Sequence, residues 1–305
     1  MNERFSGVLA PVVTPFDPQY EPDNRRWLAH CHWLLERGVS LAVFGTNSEA
    51  NSLAVSEKLN LLDRLAEDGI EGRYLMPGTG SCALPDAVAL TRHAVHTGCR
   101  AVLMLPPFYY RSVDVDGLFG FYAEVIEQVA DERLQLYLYN IPSHTGVPIP
   151  LPLVERLAHR YPAVLAGIKD SSGDWQTTLG YLRCGVEDFR VFCGSESFLL
   201  ATLREGGAGC ISATANVNPV AIHALYRAYR ETEADSLQAA LEPVRRMYQQ
   251  LPMIAALKFT LADHWQDTHW QRVRPPLTPL NKTQQQQLVQ QLAVRNPMDN
   301  PPVIR

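Results

Sequence analysis

Eight short apolar runs, each followed by a stretch with helical spacing, constrain the fold of this chain more than any other feature of its sequence. The runs fall at 7–11, 41–45, 73–78, 101–105, 135–139, 164–169, 190–194 and 209–212. The helical patterns between and after them cover 24–37, 56–68, 84–97, 115–130, 151–160, 176–184, 197–205 and 219–231. In the first of these, Trp27, Leu28, Cys31, Leu34 and Leu35 recur on one helical face, and Gly38 closes the element. Strands that are apolar throughout, joined through helices, belong to parallel sheets covered on both faces. Eight such units are the number that closes into a (β/α)8 barrel, so an α/β TIM barrel is expected over 1–232. An open doubly wound sheet is the competitor. It lacks its usual signature here, because no GxGxxG follows a strand and Gly78-Thr79-Gly80 has neither a third glycine nor a suitably spaced acid. Three more helical patterns, 234–250, 253–264 and 283–294, predict a C-terminal helical domain over 233–295, with a frayed Pro- and Asn-rich tail at 296–305.

A barrel concentrates chemistry at the C-terminal ends of its strands. The sixth run, Ala163-Val164-Leu165-Ala166-Gly167-Ile168, ends in Lys169, one of only four lysines against 23 arginines. A lysine held away from water gives up its proton more readily and becomes a nucleophile able to form a Schiff base, which arginine cannot do. The bland alternative is a rim lysine that snorkels or pairs with Asp170. Other run ends carry Gly45-Thr46-Asn47-Ser48-Glu49, Pro106-Pro107-Phe108-Tyr109-Tyr110, Tyr139-Asn140-Ile141-Pro142 and Gly194-Ser195-Glu196. Taken singly, Thr46 or Ser48 reads as a cap, Glu49 as a helix-dipole partner, and Tyr109 or Tyr139 as rim packing. Together at strand ends they suggest a site, with Thr46-Asn47 donating to a carboxylate and Tyr139 moving protons.

Composition narrows the function classes. A net charge of −5 and a pI near 6.0 leave no basic stripe for nucleic acid. No stretch approaches ~18 uninterrupted apolar residues, and the first residues lack a signal-peptide layout, so no membrane partner and a cytoplasmic location are expected. The six cysteines are scattered without a CxxC pair, which predicts reduced, packed thiols and no metal.

The motifs Gly45-Thr46-Asn47-Ser48-Glu49, Tyr139-Asn140-Ile141-Pro142, Gly167-Ile168-Lys169-Asp170 and 209–216 (GCISATAN) resemble, in order and over nearly the whole chain, the dihydrodipicolinate synthase and N-acetylneuraminate lyase family. The resemblance implies a class I Schiff-base lyase, a homotetramer built from dimers, with a small-molecule 2-oxo acid as substrate. It implies Lys169 as the imine lysine, Tyr139 as acid/base, and Thr46 in the proton relay and, with Asn47, on the carboxylate. Tyr109 would complete the relay, in relatives often from across a dimer interface, and Ile211 would contact the keto acid through its backbone. No metal or diffusible cofactor is implied, since the iminium is itself the electron sink.

Two departures bear on the substrate. Family synthases of the lysine pathway usually read GTTGE at the turn and carry a carboxylate-gripping arginine two residues after the YNxP proline. This chain has Asn47-Ser48 and His144 at those places. A histidine is a weaker, pH-dependent anion site than a guanidinium. Family aldolases of 4-hydroxy-2-oxoglutarate share the Asn after the first hydroxyl residue, Lys-Asp-Ser, and a segment like Gly194-Ser195-Glu196-Ser197-Phe198-Leu199. An aldolase or dehydratase of a hydroxylated 2-oxo acid is therefore expected ahead of a dihydrodipicolinate synthase or a non-catalytic binding barrel.

Overall fold

The computed structural model describes residues 4–99 and 101–299. Seven of the eight expected runs are hydrogen-bonded strands: β1 (Gly7–Ala10), β2 (Ser40–Leu41), β3 (Ala101–Met104), β4 (Gln135–Asn140), β5 (Leu165–Asp170), β6 (Arg190–Cys193) and β7 (Gly209–Ile211). All pairings are parallel, in the order β2-β1-β7-β6-β5-β4-β3. The sequence-predicted third strand, 73–78, differs. Gly72–Tyr74 winds into a 3-10 turn, and only bridges at Leu41–Leu75 and Gly78–Leu103 tie the following residues to β2 and β3. Pro77 has no N–H to give a ladder, yet its carbonyl accepts from the Leu103 amide at 2.9 Å, while Met76 N donates to Leu41 O at 2.9 Å. The curled sheet thus closes through one thin, irregular stave, giving the TIM-barrel-like fold expected.

Between the strands run α1 (Asn24–Leu35), α2 (Val55–Glu67), α3 (Leu84–His96), α4 (Val115–Val129), α5 (Pro142–Thr145), α6 (Leu151–Arg160), α7 (Trp175–Leu182), α8 (Leu199–Arg204) and α9 (Pro219–Ala228). After them come α10 (Ala234–Gln249), α11 (Met253–His264) and α12 (Lys282–Val294). Their starts follow local chemistry. Asp23, Asp114 and Asp174 cap α1, α4 and α7, each accepting from a backbone amide of the first turn, and α3, α6 and α9 open on or beside a proline. The one-turn α5 has no counterpart among the expected helices, because four residues are too few to show a period. In the tail, Pro297–Asp299 forms a 3-10 turn and Met298 is buried; residues 300–305 lie outside the described region.

Two apolar clusters divide the interior. Leu9, Met76, Leu103, Tyr137, Tyr139, Phe192 and Ile211 fill the barrel, while a larger layer including Val8, Leu136, Leu138, Ile168 and Val191 packs between barrel and helices. Their alternation along β4 follows from the two-residue repeat of a strand. On β5 the repeat is broken. Leu136 pairs with Leu165 but Tyr137 pairs with Gly167, so β5 carries one extra residue in a bulge between them. A β-carbon on Gly167 would sit 2.0 Å from Arg190 O and 2.8 Å from Tyr137 Cε1, so only glycine fits the crowded position. Beyond the bulge, Lys169 falls beside Tyr139 in register, on the barrel face.

Candidate active site

Lys169 is 2 % exposed, and its Nζ lies 4.1 Å from the centroid of the Tyr139 ring. No carboxylate pairs with it among the described residues. The neighbouring Asp170 is turned the other way, accepting from Asn140 Nδ2 at 2.8 Å, Ser172 N at 3.1 Å and Thr178 Oγ1 at 2.6 Å. The rim-lysine alternative, with its Asp170 pair, therefore does not describe this side chain. Tyr139 is also buried, and its hydroxyl is 3.1 Å from Thr46 Oγ1. Side chains from the ends of β4 and β5 and from the turn after β2 thus form one continuous contact line: amine, aromatic face, phenol, hydroxyl.

The turn is rigid for local reasons. Thr46–Ser48 is a single 3-10 turn in which Ser48 Oγ accepts from Gly45 N at 3.1 Å and Ser48 O accepts from Thr14 Oγ1 at 2.8 Å. Glu49 follows at φ 57°, a left-handed conformation that costs a non-glycine residue free energy and needs outside support. That support comes from the C-terminal helices. Lys258 of α11, fully buried, donates to Glu49 Oε1 and, at 2.8 Å, to Arg272 O, and Glu49 Oε2 accepts from Arg274 N at 2.8 Å. Burial pulls Lys258 down to about 8, against the opposing pull of Glu49. Glu49 is thus an ion-pair partner of a distant lysine rather than a helix-dipole residue. A second buried carboxylate, Glu196 at the end of β6, accepts from Ser212 Oγ and Thr214 Oγ1 just past β7 and lies 3.4 Å from Arg245 Nη1 of α10. Sequence reading missed both lysine and arginine partners, since a long separation leaves no spacing to read. The scarcity of lysine was the one available hint for Lys258.

The remaining expected site residues are distributed differently. Ile211 is buried at the end of β7 among the barrel-filling side chains with Tyr139. Asn47 sits half-buried in the Thr46 turn. His144 lies exposed on α5, directly after β4, with Nδ1 3.1 Å from Ser143 Oγ. In the single chain Tyr109 is 76 % exposed, packed edge-on against the similarly exposed Tyr110 at 5.2 Å, and has no hydrogen bond to Tyr139 or Thr46 among the described residues; its expected relay role, from across a dimer interface, involves a second copy. The loop that carries it, 105–114, joins β3 to α4. The cysteines are all free; Cys31, Cys99, Cys193 and Cys210 are buried, while Cys82 is exposed. No group of residues that could hold a metal ion occurs among the described residues.

A parallel barrel with a buried lysine at a strand's C-terminal end, facing a phenol and a hydroxyl, defines the class: a lyase barrel. The chain belongs to the dihydrodipicolinate synthetase family, whose model matches residues 4–294. It is 31 % identical over 280 residues to an uncharacterized DapA-like lyase of Chloroflexus aurantiacus, covering 90 % of this chain and 92 % of that one. It is 30 % identical to a probable 2-dehydro-3-deoxy-D-pentonate aldolase of Escherichia coli K12, over 84 % of this chain and 83 % of the relative. Among solved structures, the dihydrodipicolinate synthase of Agrobacterium tumefaciens superposes with a TM-score of 0.86 at 28 % identity, covering 94 % of this chain and 98 % of that one.

Proposed function

We propose that this lyase works through a Schiff base between Lys169 and the keto carbon of pyruvate or a pyruvate-derived 2-oxo acid. Its preferred reaction is aldol cleavage, or dehydration, of a hydroxylated 2-oxo acid such as 4-hydroxy-2-oxoglutarate or a 2-keto-3-deoxy acid. The observation that carries the reading is the contact line from Lys169 Nζ through Tyr139 to Thr46. The neutral amine adds to C2, and loss of the carbonyl oxygen as water leaves the iminium. In cleavage, the phenolic oxygen of Tyr139, relayed by Thr46, takes the proton of the C4 hydroxyl. The C3–C4 bonding pair moves into the iminium, an aldehyde departs, and the enamine left behind regains a proton at C3. Hydrolysis then frees pyruvate and Lys169. Thr46, Asn47 and the Ile211 backbone would hold the substrate carboxylate and keto-acid end, with His144 at the far end. Tyr109 would join the relay of a neighbouring subunit in a homotetramer.

The test is reductive trapping. Pyruvate and borohydride should leave one mass adduct, mapped to Lys169, and none in Lys169→Arg, whose guanidinium stays protonated. An adduct on Lys58, Lys258 or Lys282 instead would overturn the assignment. A retro-aldol screen beside aspartate semialdehyde condensation then separates cleavage from synthesis; turnover in the condensation alone contradicts the preference for an aldolase.

A further inference from the structure

The loop between β3 and α4 brings a second feature to the barrel mouth besides its exposed tyrosines. Arg111, at its middle, lies across the C-terminal end of α5. Its Cδ, Nε and Cζ are 3.0, 3.2 and 3.5 Å from where a β-carbon on Gly146 would sit. Gly146, at φ +66°, both ends α5 and leaves the space in which the guanidinium rests. Arg111 has no ion pair and no hydrogen-bond acceptor among the described residues, so its charge is held in place but not neutralised. Two residues before Gly146 stands His144, whose Nδ1 faces Ser143 Oγ and whose Nε2 makes no hydrogen bond among the described residues.

We infer that Arg111, together with His144 of α5, is a specificity-determining residue that binds a second anionic group at the far end of the substrate. The inference rests on Lys169 as the imine lysine. A 2-oxo acid tethered there lies beside β4, and α5 begins three residues past Tyr139, so a chain growing out of the barrel passes over α5. A planar guanidinium fork without an internal acid partner suits a carboxylate, which it binds bidentately, far better than an alditol chain. The site therefore takes a 2-oxo dicarboxylate in preference to a neutral polyhydroxy 2-oxo acid of the same length. The cation is borne by a different loop from the histidine and is invisible to a motif reading.

Two probes of equal length separate the possibilities: 2-oxoglutarate, with a terminal carboxylate, and 2-oxopentanoate, with a terminal methyl. The readout is the concentration of each that half-saturates borohydride trapping on Lys169. The unaltered protein should favour 2-oxoglutarate by about tenfold or more, the scale of one charge-assisted contact. Arg111→Ala should bring the ratio close to unity, and Arg111→Lys should keep an intermediate preference. Failure to trap 2-oxoglutarate, equal half-saturation by the two acids, or a preference that survives Arg111→Ala would each overturn the inference. Absence of any pyruvate adduct in the unaltered protein would instead overturn the imine reading itself, so the two failures are distinguishable.

Discussion

Tyr139 meets two neighbours at once. Its ring faces the amine of Lys169 and its hydroxyl meets Thr46. Removing only the hydroxyl leaves packing in place, so Tyr139→Phe should retain its Tm within a few degrees while cleavage slows by roughly 10²–10⁴-fold, the span of a lost general acid/base. Prolonged incubation with pyruvate and borohydride should still label Lys169 in that variant; loss of labelling would make Tyr139 a positioning residue for the amine. A second residue sets acid stability. His30 is fully buried, stacked on Trp33 and edge-on to Trp270, with Nε2 3.2 Å from Asn216 Oδ1. Burial lowers it from 6.5 to about 4, offset in part by the Asn216 contact. Because the unfolded chain binds this proton at higher pH than the folded one, the stabilisation is present above 6.5 and drains away as pH falls towards 4, by about 3 kcal/mol. Urea titrations across pH 7 to 4 should give a flatter profile for His30→Gln than for the unaltered chain.

At the scale of elements, the Thr46 turn depends on α11. Glu49 is held in a left-handed conformation by a lysine more than two hundred residues away, and both charges are buried. Lys258→Ala would strand the Glu49 carboxylate and should cost about 3–5 kcal/mol, read as a lowered midpoint in denaturant. Adding Glu49→Gln should recover part of that loss; no recovery would mean that the packing of Lys258 against Phe16, 4.5 Å from Nζ, mattered more than its charge. The sequence made most of this architecture legible. Period and capping located the longer helices and seven strands, because those signals are local. The stave at 73–78 was misread since Pro77 and a 3-10 turn break a ladder without breaking the apolar pattern. Lys169, Tyr139 and Thr46 were legible because the barrel brings strand ends together by rule. Glu49–Lys258 and Arg111–Gly146 were not, because contacts between distant loops and helices follow no spacing.

For the whole molecule, the exposed pair Tyr109 and Tyr110 is the feature a single chain leaves without an explanation. Two large aromatic rings, 76 % and 73 % exposed, are an expensive way to face water and a good way to bury area against another subunit. If their loop reaches a neighbouring copy, Tyr109→Ala/Tyr110→Ala should shift the mass seen by light scattering to a smaller species and lower turnover together. An unchanged mass would exclude this loop as an assembly contact. No helix among the described residues is long and apolar enough to cross a membrane.

The bulge in β5 has a consequence for how this protein tolerates change. Lys169 lies four residues past Leu165, so unbroken alternation would put both side chains on the helix side; the extra residue shifts the phase, as an added base shifts a reading frame, and turns Lys169 into the barrel beside Tyr139. Loss of one residue at 166–167 would remove the bulge and leave that pairing intact, whereas one more residue between the bulge and Lys169 would turn the lysine towards the helices. The placement of the amine beside Tyr139 thus depends on an arithmetic property of the strand as much as on the identity of its lysine.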